Sequence, residues 1–231
     1  MADIAGKAVL VTGATGNLGR ACCAALAAAG ARVAALDRTA AALDALLPTL
    51  PGEHLALPGI DLMDPAACAA AVARAGRLDG VVHTVGGFDA APIADASPAL
   101  WEAMFRLNLL TTVHVFGAAI AAMRASGGGA LVATGAMAAL RSPAGLAAYS
   151  ASKSGVLRLV EAYADELKAE GIRVNAVLPG TIDTPQNRAA MPGADASRWV
   201  RPEQIAAAVA FLLSDAAGGI TGALLPVTAR G

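Results

Sequence analysis

The chain has 231 residues, with 17 Lys and Arg against 18 Asp and Glu for a net charge of −1; that length suits one α/β domain, and the balance offers neither a basic face for nucleic acid nor a polybasic run for a lipid surface. Hydrophobic residues make up 56% of it, but much of that is alanine, and no uninterrupted apolar stretch reaches the roughly 18 residues a membrane-spanning helix needs. The opening MADIAGKAVL shows no signal-peptide pattern and runs toward a strand.

In chain order, Ala8–Thr12 (AVLVT) is the first expected strand, and Leu18–Ala29 the first helix, stopped by Gly30. Arg32–Leu36 is the second strand and Ala40–Leu47 the second helix. A weak third strand over His54–Leu57 leads to a helix at Pro65–Ala75. Gly80–Val85 is the next strand, and a long helix, Pro98–Met123, follows it. Ala130–Thr134 and Ile172–Leu178 complete the strands, with the helix Ala148–Glu170 between them, ended by Gly171. These strands are continuous apolar runs, as in a parallel sheet covered on both faces. Such alternation gives an α/β fold, a doubly wound Rossmann-like parallel sheet with helices on both faces. No linker, low-complexity tract or internal repeat divides it, so residues 1–231 are expected to form a single domain. Pro179–Trp199, rich in Gly, Pro, Asp and Met, is expected to be irregular and to serve as a substrate lid. Cys22, Cys23 and Cys68 lack metal-ligand spacing. They read as reduced, buried small hydrophobes of a cytoplasmic protein, with no metal site.

The first strand ends in a glycine-rich turn, Gly13-Ala14-Thr15-Gly16-Asn17-Leu18-Gly19, that opens a helix. A diphosphate needs backbone N–H donors at a helix N-terminus with no Cβ in the way. Gly13, Gly16 and Gly19 meet that need, and Thr15, Asn17 and Leu18 share the turn. Asp37 closes the second strand, where a carboxylate accepts from adenosine ribose hydroxyls and repels a 2′-phosphate. This favours NAD(H) over NADP(H). Arg38 is open to three readings, a phosphate partner, a solvated loop charge or a cation stacking on adenine. Asp61-Leu62 sits where an acidic residue meets the adenine amino group, or is simply a helix-entry turn.

Tyr149 and Lys153 are four residues apart in a helix, so they share a face. A neighbouring ammonium is expected to lower the phenol's pKa. Tyr149 then serves as general acid in reduction and general base in oxidation of a small-molecule substrate.

At this point the chain resembles the short-chain dehydrogenase/reductase family over essentially its whole length. The likeness is carried by TGATGNLG, Asp61, the VGG turn Val85–Gly87, Asn108 within RLNLL, YSASK, and LPGTIDT from Leu178 to Thr184. It implies that Lys153 also binds the nicotinamide ribose and that Asn108 holds a water relaying protons to Lys153. It counts Val85 and Gly86 among the cofactor residues, and it implies that Pro179, Gly180, Ile182 and Thr184 cover the nicotinamide. It further implies a homotetramer or at least a homodimer, paired through Pro98–Met123 and Ala148–Glu170.

The chain departs from the family pattern where a catalytic serine is expected, thirteen residues before the tyrosine: the residue there is Ala136. Three explanations stay open: a silent dinucleotide sensor, a relocated donor such as Thr134, or an acceptor that needs less polarisation. His83 stands where the family usually has asparagine, and a turn-stabilising role is expected of it. GAMAAL (Gly135–Leu140) and Asp183–Trp199 also look similar to dihydropteridine reductase and its bacterial relatives, which lack the serine and keep the Tyr/Lys pair. Val85-Gly86-Gly87-Phe88 fits the same group. On that likeness the acceptor is conjugated and quinonoid or imine-like, with Met191 and Trp199 either lining its pocket or packing the lid.

Overall fold

The computed structural model describes residues 3–230. The first half runs β1 (Ala8–Thr12), α1 (Asn17–Ala28), β2 (Arg32–Asp37), α2 (Ala40–Leu46), β3 (Leu55–Pro58), α3 (Pro65–Ala75) and β4 (Gly80–His83). Then come α4 (Pro98–Met104), α5 (Thr111–Ser126), β5 (Gly129–Thr134), α6 (Ala147–Leu167), β6 (Ile172–Pro179), α7 (Pro185–Ala190), α8 (Pro202–Leu213) and β7 (Leu224–Val227). The strands form one sheet, ordered β3-β2-β1-β4-β5-β6-β7, and every pairing is parallel. The strand order reverses between β1 and β4. Ligands of open α/β sheets bind at the carboxyl ends of strands at such a point.

The pleat explains the apolar runs. In β1, Val9 and Val11 pack with Cys22, Cys23 and Leu26 of α1, while Leu10 belongs to the opposite core with Phe116 and Met123 of α5. Both faces are covered, so successive residues must all be apolar. The three cysteines are buried and unbridged. Burial pushes the Cys23 and Cys68 thiols up to about 12 and about 11, so they stay protonated at neutral pH.

Several boundaries differ from the sequence reading. The strand expected to reach Val85 ends at His83, because the chain then turns through Gly86 and Gly87, held by the Asn108 side chain. The long helix is α4 and α5 joined by a π turn, Phe105–Leu110. It continues to Ser126, where Gly127 at φ 86° stops it in the left-handed region. The stretch from Pro98 to Ser126 is long and apolar enough to span a membrane by length and composition. Here its Val115, Phe116, Ala119, Ile120 and Met123 belong to the core. Pro179–Trp199 is irregular only in part. Pro179 ends β6, Thr184 caps α7 by accepting from Asn187 N–H, and a 3-10 turn covers Ala196–Arg198. α8 and β7 were not expected at all.

Candidate active site

A cavity of about 500 Å³ opens at the switch point. It is lined by Gly13, Thr15, Gly16, Asn17, Leu18, Gly19, Asp37, Arg38, Asp61, Leu62, Val85 and Gly86, all anticipated from sequence. Leu36, Ile60, Met63, Thr84, Leu107 and Thr111 also line it and were missed. Leu107 and Thr111 arrive there on and just after the π turn, a conformation that recurs at functional sites.

The turn is built for close approach. Gly13 lies at φ 66°, and a Cβ on Gly19 would sit 2.0 Å from the Gly13 carbonyl oxygen. No side chain larger than hydrogen is tolerated at Gly19. α3, α4 and α7 each begin with proline and a capping side chain, from Asp64, Ser97 and Thr184. α1 has no side-chain cap: Gly16 stands at its N-cap. Its first N–H groups therefore point at the cavity without a side-chain partner, the donor set a diphosphate needs.

Asp37 accepts from Thr15 N–H at 3.0 Å, from Thr15 Oγ1 at 2.7 Å and from Arg38 N–H at 2.7 Å. Partial burial raises its pKa, and these hydrogen bonds outweigh that and hold it below the usual range. It is thus a fixed carboxylate at the cavity wall. Arg38 is exposed. Asp61 Oδ1 accepts from Met63 N–H at 2.9 Å, so the helix-entry turn exists and still leaves Asp61 on the cavity.

The chemical end lies on α6. Lys153 is 5% exposed, and its Nζ donates to the Thr134 carbonyl at 2.8 Å. Burial pulls its pKa down to about 8. Burial also pushes the Tyr149 phenol up to about 12. The expected lowering by the ammonium is therefore corrected. Desolvation disfavours the phenolate, and the lysine's hydrogen bond goes to Thr134 instead. The Phe88 ring meets Tyr149 edge-on, with centroids 5.0 Å apart. Beside Tyr149, the buried Ser150 hydroxyl has no hydrogen-bond partner.

Asn108 sits on the π turn, fully buried. Its Oδ1 accepts from Gly87 N–H at 2.9 Å, and its Nδ2 donates to Gly87 O at 3.1 Å and Ser152 Oγ at 3.0 Å. Its carbonyl accepts from Thr112 Oγ1. The side chain thus ties the Gly86-Gly87 turn to α6. A Cβ on Gly86 would come 2.7 Å from Asn108 Oδ1 and 3.1 Å from Lys153 Nζ, so glycine there leaves room for both.

His83 is buried between two hydroxyls, Thr12 Oγ1 at 2.8 Å from Nδ1 and Thr111 Oγ1 at 3.2 Å from Nε2. Thr111 donates to the Leu107 carbonyl. The ring therefore donates from Nε2 and accepts at Nδ1. Burial first, then the Lys153 charge, lowers its pKa to about 3. It cross-links β1, β4 and the start of α5 as a neutral imidazole. Thr134 gives its hydroxyl to the His83 carbonyl at 2.9 Å, which commits the side chain considered as a relocated donor. Ala136 is 5% exposed.

Pro179, Gly180, Ile182 and Thr184 are not among the residues lining the cavity. Gly180 N–H donates to Val227, Ile182 bridges to Val200, and Thr184 caps α7. The segment does reach the glycine turn: Asn17 Nδ2 donates to Gln186 Oε1 at 2.8 Å. Met191 and Trp199 do not line the cavity either, and nor do Tyr149, Lys153 and Asn108, of which Lys153 and Asn108 lie behind Gly86.

The short chain dehydrogenase family profile matches residues 7–194. The chain is 35% identical to a D-threitol dehydrogenase of Mycolicibacterium smegmatis, over 96% of this chain and 91% of that protein. It superposes with a TM-score of 0.93 on a short-chain type dehydrogenase/reductase of Mycobacterium ulcerans, at 32% identity, covering 99% of this chain and 90% of that one. An NAD(P)-dependent gluconate 5-dehydrogenase candidate from Beutenbergia cavernae, solved with NADP bound, superposes at 0.91 with 30% identity, covering 98% and 97%. These comparisons carry the family; the narrower likeness to dihydropteridine reductases rests on its own few segments alone. With a parallel sheet, an uncapped glycine turn and Tyr149 four residues before a buried Lys153 on α6, matched over nearly its full length, the chain belongs to the short-chain dehydrogenase/reductase family of oxidoreductases.

Proposed function

We propose that this chain moves hydride between NAD(H) and a carbonyl or conjugated quinonoid or imine-like acceptor, with Tyr149 as the acid/base. The observation that carries the reading is a largely buried phenol that shares a helix face with a buried lysine, whose Nζ lies behind Gly86 at the wall of a cavity that also takes in the helix N-terminus without a side-chain cap. The nicotinamide, when bound, supplies or accepts the hydride. The first N–H groups of α1 hold the diphosphate, and Asp37 takes the adenosine ribose hydroxyls. Lys153, fixed by the Thr134 carbonyl, faces the space left by Gly86 and binds the nicotinamide ribose. Asn108 acts as a positioning residue, since its side chain is committed to Gly87 and Ser152. With a pKa near 12, Tyr149 is protonated at neutral pH and suited to donate to an oxygen gaining negative charge.

A second reading, an ordinary ketone reductase or secondary-alcohol dehydrogenase, draws on relatives such as the D-threitol dehydrogenase. The relocated donor it was expected to use, Thr134, has its hydroxyl committed to His83. A silent sensor, the third reading, has no use for the Tyr149/Lys153 pair. The substrate is a small molecule, and the protein assembles as a homotetramer or homodimer.

Tyr149→Phe tests the reading. It removes the proton donor and little packing, so turnover falls by about 10² to 10⁴ while NADH binding persists. Lys153→Ala damages both. A near wild-type rate in Tyr149→Phe shows that Tyr149 is not the acid.

A further inference from the structure

The turn that carries Asp61 onto the cavity is held from outside it. Asp61 O accepts from Asp64 N–H at 3.1 Å, which closes the turn, and Asp64 Oδ1 accepts from Ala66 N–H at 2.8 Å at the start of α3. Within the turn, the peptide joining Leu62 to Met63 is gripped at both ends. Its N–H, on Met63, donates to Asp61 Oδ1 at 2.9 Å. Its oxygen, on Leu62, accepts from His114 Nδ1 at 2.9 Å. Among the described residues no backbone N–H outside the helices and strands reaches that oxygen, and Cys68 Sγ stands off at 3.8 Å.

A line of hydrogen bonds therefore runs from an imidazole on α5 to the Asp61 carboxylate through one planar amide. A carbonyl oxygen only accepts, so His114 Nδ1 carries the proton. The amide is rigid, and a donor on its oxygen fixes the direction of its N–H and strengthens the bond that N–H gives. Asp61 is exposed, and this is the bond that orients it. α5 is a firm anchor: Val115, Phe116 and Ala119 beside His114 are buried in the core. Thr111, one turn before His114, lines the cavity together with Asp61, Leu62 and Met63. The ring itself is half-buried at an open groove, with Pro65, Ala69 and Gly117.

We propose that His114 is a positioning residue for the cofactor. Through the Leu62–Met63 peptide it sets the pose in which Asp61 takes the amino group of adenine. The proposal rests on the dinucleotide reading above and deepens it. A carboxylate no longer held on an exposed turn spends part of its time turned away, so the loss falls on affinity.

The test is the Kd of NADH, by fluorescence titration, in wild type, His114→Ala, His114→Asn, Asp61→Ala and the double variant of His114→Ala with Asp61→Ala. Truncating a half-buried ring at an open groove leaves no cavity in the core, so the variants are expected to fold. His114→Ala is expected to weaken binding by about fivefold, the scale of one neutral hydrogen bond. Asparagine brings an N–H close to where Nδ1 stood, so His114→Asn is expected to recover most of the loss. In Asp61→Ala the peptide has no carboxylate to aim, so adding His114→Ala is expected to weaken binding no further. Wild-type affinity in His114→Ala, no recovery in His114→Asn, or wild-type affinity in Asp61→Ala overturns the proposal. So does an equal loss from His114→Ala in both backgrounds, because the ring then acts on the fold at large and not through Asp61. These outcomes leave the dinucleotide reading standing. A wild type that binds no NADH refutes that reading itself. Ring-nitrogen NMR of wild type needs no variant: the neutral ring is expected to carry its proton on Nδ1, and a proton on Nε2 overturns the proposal.

Discussion

Acidification is predicted to weaken the fold through His83. Its folded-state pKa, lowered to about 3 by burial and by the Lys153 charge, lies well below the 6.5 of a free imidazole. Between those values the unfolded chain binds a proton that the folded chain refuses. Stability from this group is therefore full above pH 6.5 and falls as pH drops toward 3. At about pH 4.5, two units below 6.5, the loss amounts to about 2–3 kcal/mol at 1.36 kcal/mol per unit. The geometry gives the reason. A protonated ring must donate from both nitrogens, yet Thr12 Oγ1 already donates to Nδ1. The assay is urea unfolding of wild type and His83→Asn at about pH 7 and about pH 4.5. Asparagine keeps a polar side chain and does not titrate. The stability advantage of wild type over the variant should shrink by about 2–3 kcal/mol on acidification. An advantage equal at both pH values refutes a neutral, buried His83 as the acid-sensitive group.

NADH is expected to beat NADPH in kcat/KM by about 100-fold at one ionic strength, because the Asp37 carboxylate, fixed by Thr15 at the cavity wall, would repel a 2′-phosphate placed there. A clear NADPH preference means that the exposed Arg38 governs instead. Light scattering at micromolar concentration is expected to show a tetramer or dimer, and a monomer contradicts that assembly.

The sheet was legible because the strands of a doubly covered parallel sheet are apolar over consecutive residues, as residues 8–11, 33–36 and 176–179 are. The glycine turn was legible because Gly13 and Gly19 answer steric demands that no other residue meets. β7 was not, since four residues with Pro226 at a sheet edge carry little pattern. α8 had a signal that went unused: Pro202 at its start, then Ile205, Val209, Leu212 and Leu213 at helical spacing. The lid was taken as irregular because Pro192 and Gly193 obscured the Thr184-Pro185 start of α7. The π turn has no compositional mark, so the arrival of Leu107 and Thr111 at the cavity was invisible. The direction of the Tyr149 shift was invisible for another reason. Spacing puts a lysine on the phenol's face, but only the fold shows the phenol partly desolvated and the ammonium given to Thr134.

The last prediction concerns the missing serine. A ketone oxygen gains nearly a full charge as hydride arrives, and losing one donor to such an oxygen typically costs about 10² to 10³ in turnover. A quinonoid acceptor spreads that charge over a conjugated ring, so the single Tyr149 hydroxyl suffices. Ala136→Ser should therefore raise activity on simple ketones more than on quinonoid dihydropterins. The position is 5% exposed, so the new hydroxyl is not free to sit in bulk water as an open pocket would allow. Without a partner in the unliganded protein it costs about 1–3 kcal/mol of stability. The two effects are separable, because the stability cost lowers Tm for every substrate and the catalytic gain appears only in a ratio. That ratio is kcat/KM for a simple ketone over that for a quinonoid dihydropterin, measured in wild type and in Ala136→Ser at a temperature where both are folded. It should rise by about tenfold or more in the variant. If wild type already prefers the ketone and the substitution leaves the ratio where it was, Ala136 says nothing about the acceptor, and the ordinary ketone reductase becomes the better reading.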